Sequence, residues 1–83
     1  MDETRERILE RIRMRRALPP PEKRTKIRKA AGLTLQDLAD AIGVTPATIH
    51  YWEQGTRNPR PEHIAAYMAA LDAMTSAEHD TAA

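Results

Sequence analysis

The 83-residue chain has no cysteine and no phenylalanine, one tryptophan, two tyrosines and three glycines. Without cysteine there is neither a disulfide nor a thiolate metal site, a pattern that fits a reducing compartment. With so few aromatics, aliphatic side chains and alanine must supply most of the packing, and a chain this short buries only a modest core. Ala, Leu, Glu, Arg and Gln dominate while β-branched residues are scattered, which favours helices over a β-sandwich. Also missing is any apolar run long enough for a signal peptide or a membrane span, so a soluble cytoplasmic protein with no membrane partner is expected. The histidines His50, His63 and His79 fall on different elements without metal-ligand spacing, and no nucleophile, base and orienting group can be placed together. A non-enzymatic protein with no metal, no cofactor and no small-molecule ligand follows as the expectation.

Charge is present in both signs but unevenly spread. Residues 1–32 hold eleven Lys and Arg against five acids, a balance of +6, whereas residues 33–83 hold two against seven, a balance of −5. Such asymmetry, hidden in a net charge of +1, hints at a polyanion-binding face.

Four segments follow from the pattern along the chain. Residues 1–18 read as a basic amphipathic helix with ion pairs such as Glu3 with Arg7, and with a narrow apolar stripe of Met1, Ile8, Leu9 and Ile12. Prolines 19–21 form a stiff extended joint. Residues 22–74 read as a helical domain, and residues 75–83 as a flexible tail. Within the domain, "EKRTKIRKAAG" is a helix stopped at Gly32. "LTLQDLADAIG" follows, with Thr34 as N-cap and Asp37 three residues on, an Asp version of the capping box. Thr45 caps the next helix, Pro46 takes its first position, Ile49 and Trp52 define its inward face, and Gly55 ends it. Pro61 opens a last helix with Ile64, Met68 and Leu71 on one face and Tyr67 on its edge.

Two helices of about eight residues joined by "GVT" are too short for an antiparallel hairpin and must cross steeply, which is the helix-turn-helix arrangement. Gly43 tolerates positive φ at the turn, and Val44 plugs the angle between the helices. Helical geometry then turns Pro46, Ala47, His50 and Tyr51 outward.

In these residues the chain resembles the Cro/C1-type (XRE-type) helix-turn-helix proteins of phage repressors and bacterial regulators. The matching residues are Arg28, "AGLT" at 31–34, "DLADAIGVT" at 37–45, "TI" at 48–49, "WEQG" at 52–55, Pro59 and the apolar pattern of the last helix, covering about residues 23–73. The resemblance implies an all-α, lambda-repressor-like domain of four or five helices, here with an extra N-terminal helix. It also implies double-stranded DNA as partner, with the helix over residues 45–54 in the major groove. Pro46, Ala47, Thr48, His50 and Tyr51 are then the base-reading candidates, none of them Arg, Lys, Gln or Asn. Thr45, Lys23, Lys26, Thr34, Leu35, Gln36, Arg57, Asn58 and Arg60 are the phosphate-contact candidates, Leu35 through its backbone only, because many relatives carry Gln at that position.

The resemblance further implies a partly buried ion pair between Arg28 and Glu53 that orients the recognition helix and neutralises its one acid. It implies a homodimer, at least on DNA, with Tyr67, Met68, Leu71 and Met74 as contact candidates. Arg24 departs from the pattern, standing where relatives often have an apolar core residue. Either the first domain helix is shorter, or Ile8, Leu9 and Ile12 fold back over the gap. Plain solvated charge is the default reading of the N-terminal arginines; alternatively they extend the phosphate footprint, or the apolar stripe beside them mediates a dimer. Three functions share this fold: a sequence-specific regulator such as a small phage or mobile-element Cro-like repressor, an antitoxin that autoregulates its operon, and a protein-interaction module that lost DNA binding.

Overall fold

The computed structural model describes residues 2–82, and five helices occupy most of them: α1 Glu3–Ala17, α2 Pro21–Ala30, α3 Leu35–Ile42, α4 Pro46–Gln54 and α5 Pro61–Ala82. No strand occurs among the described residues, so the domain is all-α. None of these helices is long and apolar enough to cross a membrane. Met1, counted above in the apolar stripe, lies outside the described residues.

Local chemistry sets the boundaries of α3 and α4. At Thr34 the hydroxyl accepts from the Asp37 amide at 3.0 Å, and the Asp37 carboxylate accepts from the Thr34 amide at 3.0 Å, closing a full capping box. Hydrogen bonding from Thr34 to the Asp37 carboxylate, by its backbone amide first and its side chain second, holds that carboxyl below its ordinary range. Thr45 caps α4 by accepting from the Thr48 amide at 3.2 Å, ahead of Pro46 at the first helical position. Gly43 sits at φ 92°, a left-handed conformation that a side chain would strain, and its amide returns to Ala39 O at 2.8 Å.

The core forms where α3, α4 and α5 meet. Leu38 and Ala39 enter it from α3, Ile49 and Trp52 from α4, and Tyr67, Leu71 and Met74 from α5, with Leu18 from the joint after α1. Trp52 and Tyr67 pack with ring centroids 4.8 Å apart and tilted by 45°. Fully burying a side chain of this size stabilises by about 1.5–3 kcal/mol, so this handful of residues carries the fold. Tyr67 carries one defect: its hydroxyl is buried without a hydrogen-bond partner, and burial pushes its pKa up to about 12.

Four features differ from the sequence-based expectations. Pro21 is the first residue of α2 rather than the end of the joint, because a proline at that position loses no helical hydrogen bond. The last helix does not stop near Met74 but runs on to Ala82, since "TSAEHDTAA" contains neither glycine nor proline and Thr75 returns its hydroxyl to Leu71 O at 2.9 Å. Tyr67, Leu71 and Met74, expected at a dimer contact, lie inside one chain's own core. Of the four dimer candidates only Met68 is half-buried at its edge. Finally, α1 buries no residue and leaves Ile8 52 % and Ile12 40 % exposed, so its stripe does not fold back over Arg24. The position needs no such cover: Arg24 is itself buried and bonded, as described next.

Candidate nucleic-acid interface

α4 has a fixed back and an open front. Its back begins with Glu53, whose carboxylate is buried and met by three donors. Arg28 Nε donates to Oε2 at 2.6 Å, Arg28 Nη2 to Oε1 at 3.0 Å, and the Thr25 hydroxyl to Oε1 at 3.0 Å. The Arg28–Glu53 contact is thus a forked, charge-assisted pair, and Arg28 Nη1 goes on to Leu33 O at 3.0 Å. The carboxylate beside it raises the Arg28 pKa, against the opposing effect of burial.

Arg24, one turn earlier on α2, holds the end of the same helix. Its Nη1 donates to Trp52 O at 3.0 Å and its Nε to Pro19 O at 2.8 Å, while its guanidinium carbon stands 5.9 Å from the Tyr67 ring centroid. A buried arginine therefore fills the place where the resemblance leads one to expect an apolar residue, with its head satisfied by carbonyls. Gly55 completes the contact: at φ 77° it is left-handed, and a Cβ there would come within 3.0 Å of Pro21 Cγ. Together Arg24, Thr25, Arg28 and Pro21 clasp the C-terminal half of α4 onto α2.

The front of α4 is short and uncharged. Ala47, His50 and Tyr51 are exposed, Pro46 and Thr48 half-buried, and Ile49 and Trp52 turn inward. The Thr45 and Thr48 hydroxyls share a hydrogen bond of 2.9 Å, so both already have a partner. His50 and Tyr51 have ring centroids 6.2 Å apart. Gln54 is also exposed and lies seven residues after Ala47 and three after Tyr51, on the same helical face. Sequence reading missed it, although the spacing that selected the other three also selects Gln54. It likewise missed Arg24 and Thr25 as partners of α4, since nothing in their spacing distinguishes them from solvated residues.

Around this strip stand the polar groups expected at phosphates. Asn58, Arg60 and His63 line a recess of about 250 Å³ with Thr48, Trp52 and Arg57. Asn58 and Arg60 are exposed in the loop after α4. At the start of α3 the Leu35 and Gln36 amides have no acceptor within the helix. Leu35 turns its side chain to the core, and the Gln36 side chain donates along its own helix to Asp40 at 2.7 Å. Lys23 and Lys26 are exposed on α2. No group of three or more metal-ligating side chains occurs among the described residues.

A helix-turn-helix family model matches residues 25–77, well over half of the chain and all of α3 and α4. No curated protein and no solved structure matches it.

Proposed function

The chain belongs to the Cro/C1-type helix-turn-helix family and carries its DNA-binding domain, and from this premise we propose that it is a sequence-specific transcriptional regulator that represses from an operator. The observation that carries this reading is the contrast on α4. Its back is anchored to α2 by a buried ion pair and two further hydrogen bonds, from Thr25 and Arg24, while its front is a strip of Ala47, His50, Tyr51 and Gln54. A helix held rigidly from behind and left open in front is suited to inserting its front into the major groove.

The strip reads by shape and apolar contact as much as by hydrogen bonds. Ala47 offers a methyl to thymine, His50 a donor or acceptor to a base edge, and Gln54 the paired donor and acceptor that suit adenine. Affinity comes from the surroundings: Asn58 and Arg60 in the loop, the Leu35 and Gln36 amides at the start of α3, and Lys23 and Lys26 on α2. A single module reaches few base pairs, so the protein acts as a homodimer on a two-fold operator in the nucleoid. Because Tyr67, Leu71 and Met74 are committed to the core, that dimer forms through other surfaces.

A band-shift titration against the intergenic DNA next to its own gene, at two salt concentrations, tests the reading. Binding with a steep negative salt slope is expected. Absence of binding at low salt would overturn it.

A further inference from the structure

By family resemblance Arg57 belongs among the phosphate contacts, and it lines the same recess as Asn58 and Arg60, but its guanidinium also stands over the ring of Tyr51. We infer that Arg57 is a base-reading residue that recognises a guanine from the loop, with the exposed ring of Tyr51 as the platform that positions it. The inference rests on the assignment of α4 as the helix that enters the major groove.

Three observations carry it. The Arg57 guanidinium carbon lies 4.4 Å from the centroid of the Tyr51 ring, a cation–π distance. Tyr51 belongs to the exposed face that also holds Ala47, His50 and Gln54, so the guanidinium stands beside that face rather than out along the loop. His50, with its ring centroid 6.2 Å from that of Tyr51, is exposed on the same face.

The loop is also tied where it leaves the helix. The Thr56 amide, the Thr56 hydroxyl and the Arg57 amide all donate to Tyr51 O, at 3.1, 3.3 and 3.5 Å. Arg57 is thus fixed to Tyr51 by backbone as well as by its side chain.

The chemistry of a stacked arginine completes the case. An arginine on an aromatic face keeps its N–H donors at the edge of the guanidinium plane, and among the described residues the Arg57 side chain makes no hydrogen bond or ion pair. Two parallel donors at that edge match guanine O6 and N7, the commonest base-specific contact that proteins make. Holding the fork in advance also lowers the ordering cost on binding. The α4 strip has no cation of its own, and Arg57 brings one to it from outside the helix.

Selection of bound duplexes from a random DNA pool, with the full chain and its variants, tests this. Wild type should enrich a motif containing a guanine that Arg57→Ala no longer selects, with discrimination at that position falling roughly 10- to 100-fold and the other positions kept. Arg57→Lys, which keeps the charge but loses the fork, should lose the same guanine. Tyr51→Phe should retain it, whereas Tyr51→Ala should weaken it. If Arg57→Ala binds every sequence more weakly by one factor with its motif unchanged, Arg57 is a phosphate contact and the inference is overturned alone. If wild type enriches no motif, the regulator reading falls and this assignment falls with it.

Discussion

The arginines of α1 and those of α2 are the same residue in the same kind of helix, with opposite fates. All six on α1 are exposed, and the Glu10–Arg13 pair there spans 3.8 Å with side chains 62 % and 68 % exposed. On α2, Arg24 and Arg28 are buried, and their N–H groups reach two carbonyls, a carboxylate and a further carbonyl. An exposed pair contributes little because water and side-chain entropy compete with it. A buried charge is costly unless fully partnered, so each partner on α2 becomes indispensable to the other. The difference lies in what stands opposite: α2 packs on α4, whereas α1 packs only on α5 and leaves every one of its residues at least partly exposed.

The contrast can be broken or sharpened by substitution, and the largest effect is expected at the ion pair. Arg28→Ala leaves the Glu53 carboxylate buried with only Thr25 and should cost about 3–5 kcal/mol in urea unfolding. Arg28→Ala combined with Glu53→Ala should lose less than the sum of the single changes. Arg24→Ala abandons two carbonyls but no charge and should cost about 2 kcal/mol by the same measurement. An equal loss from Arg24→Ala and Arg28→Ala would show that packing, not charge pairing, governs α2.

Tyr67, beneath Arg24, should respond less still. Tyr67→Phe removes an unpartnered hydroxyl and should change stability at neutral pH by less than about 1 kcal/mol, in either direction. Because folding raises the Tyr67 pKa from 10.0 to about 12, the folded form holds its proton more tightly. The resulting stabilisation is complete below pH 10 and lost as pH rises toward 12, and Tyr67→Phe should lack this part of the alkaline loss. The smallest effect is expected on α1, where Arg13→Ala should stay within about 0.5 kcal/mol of wild type.

Much of the fold was legible because local rules govern it. Thr34 with Asp37, Gly43, Thr45 with Pro46, and Gly55 each settle a helix end within a few residues, and they do so in the structure. The Arg28–Glu53 contact joins residues 25 apart, and only resemblance suggested it. Arg24 was opaque for a physical reason: periodicity classes arginine as solvated and does not register carbonyls that arrive from Pro19 and Trp52. Tyr67 misled in the opposite sense, since an aromatic at the edge of a helical face reads equally as interface or core. The strip on α4 was legible as far as Tyr51, but Arg57 beside it depends on how the following loop turns back, which no helical period describes.

The clasp on α4 also bears on when its exposed face takes up its orientation. Its three polar links join positions 25 or 28 apart, with α3 and the turn enclosed in the loop that they close. Closing that loop brings α2 and α4 together across the intervening residues, and nine residues of α4 are too few to persist as a helix in water. The orientation of α4 is therefore acquired with the tertiary contacts that close this loop and lost with them.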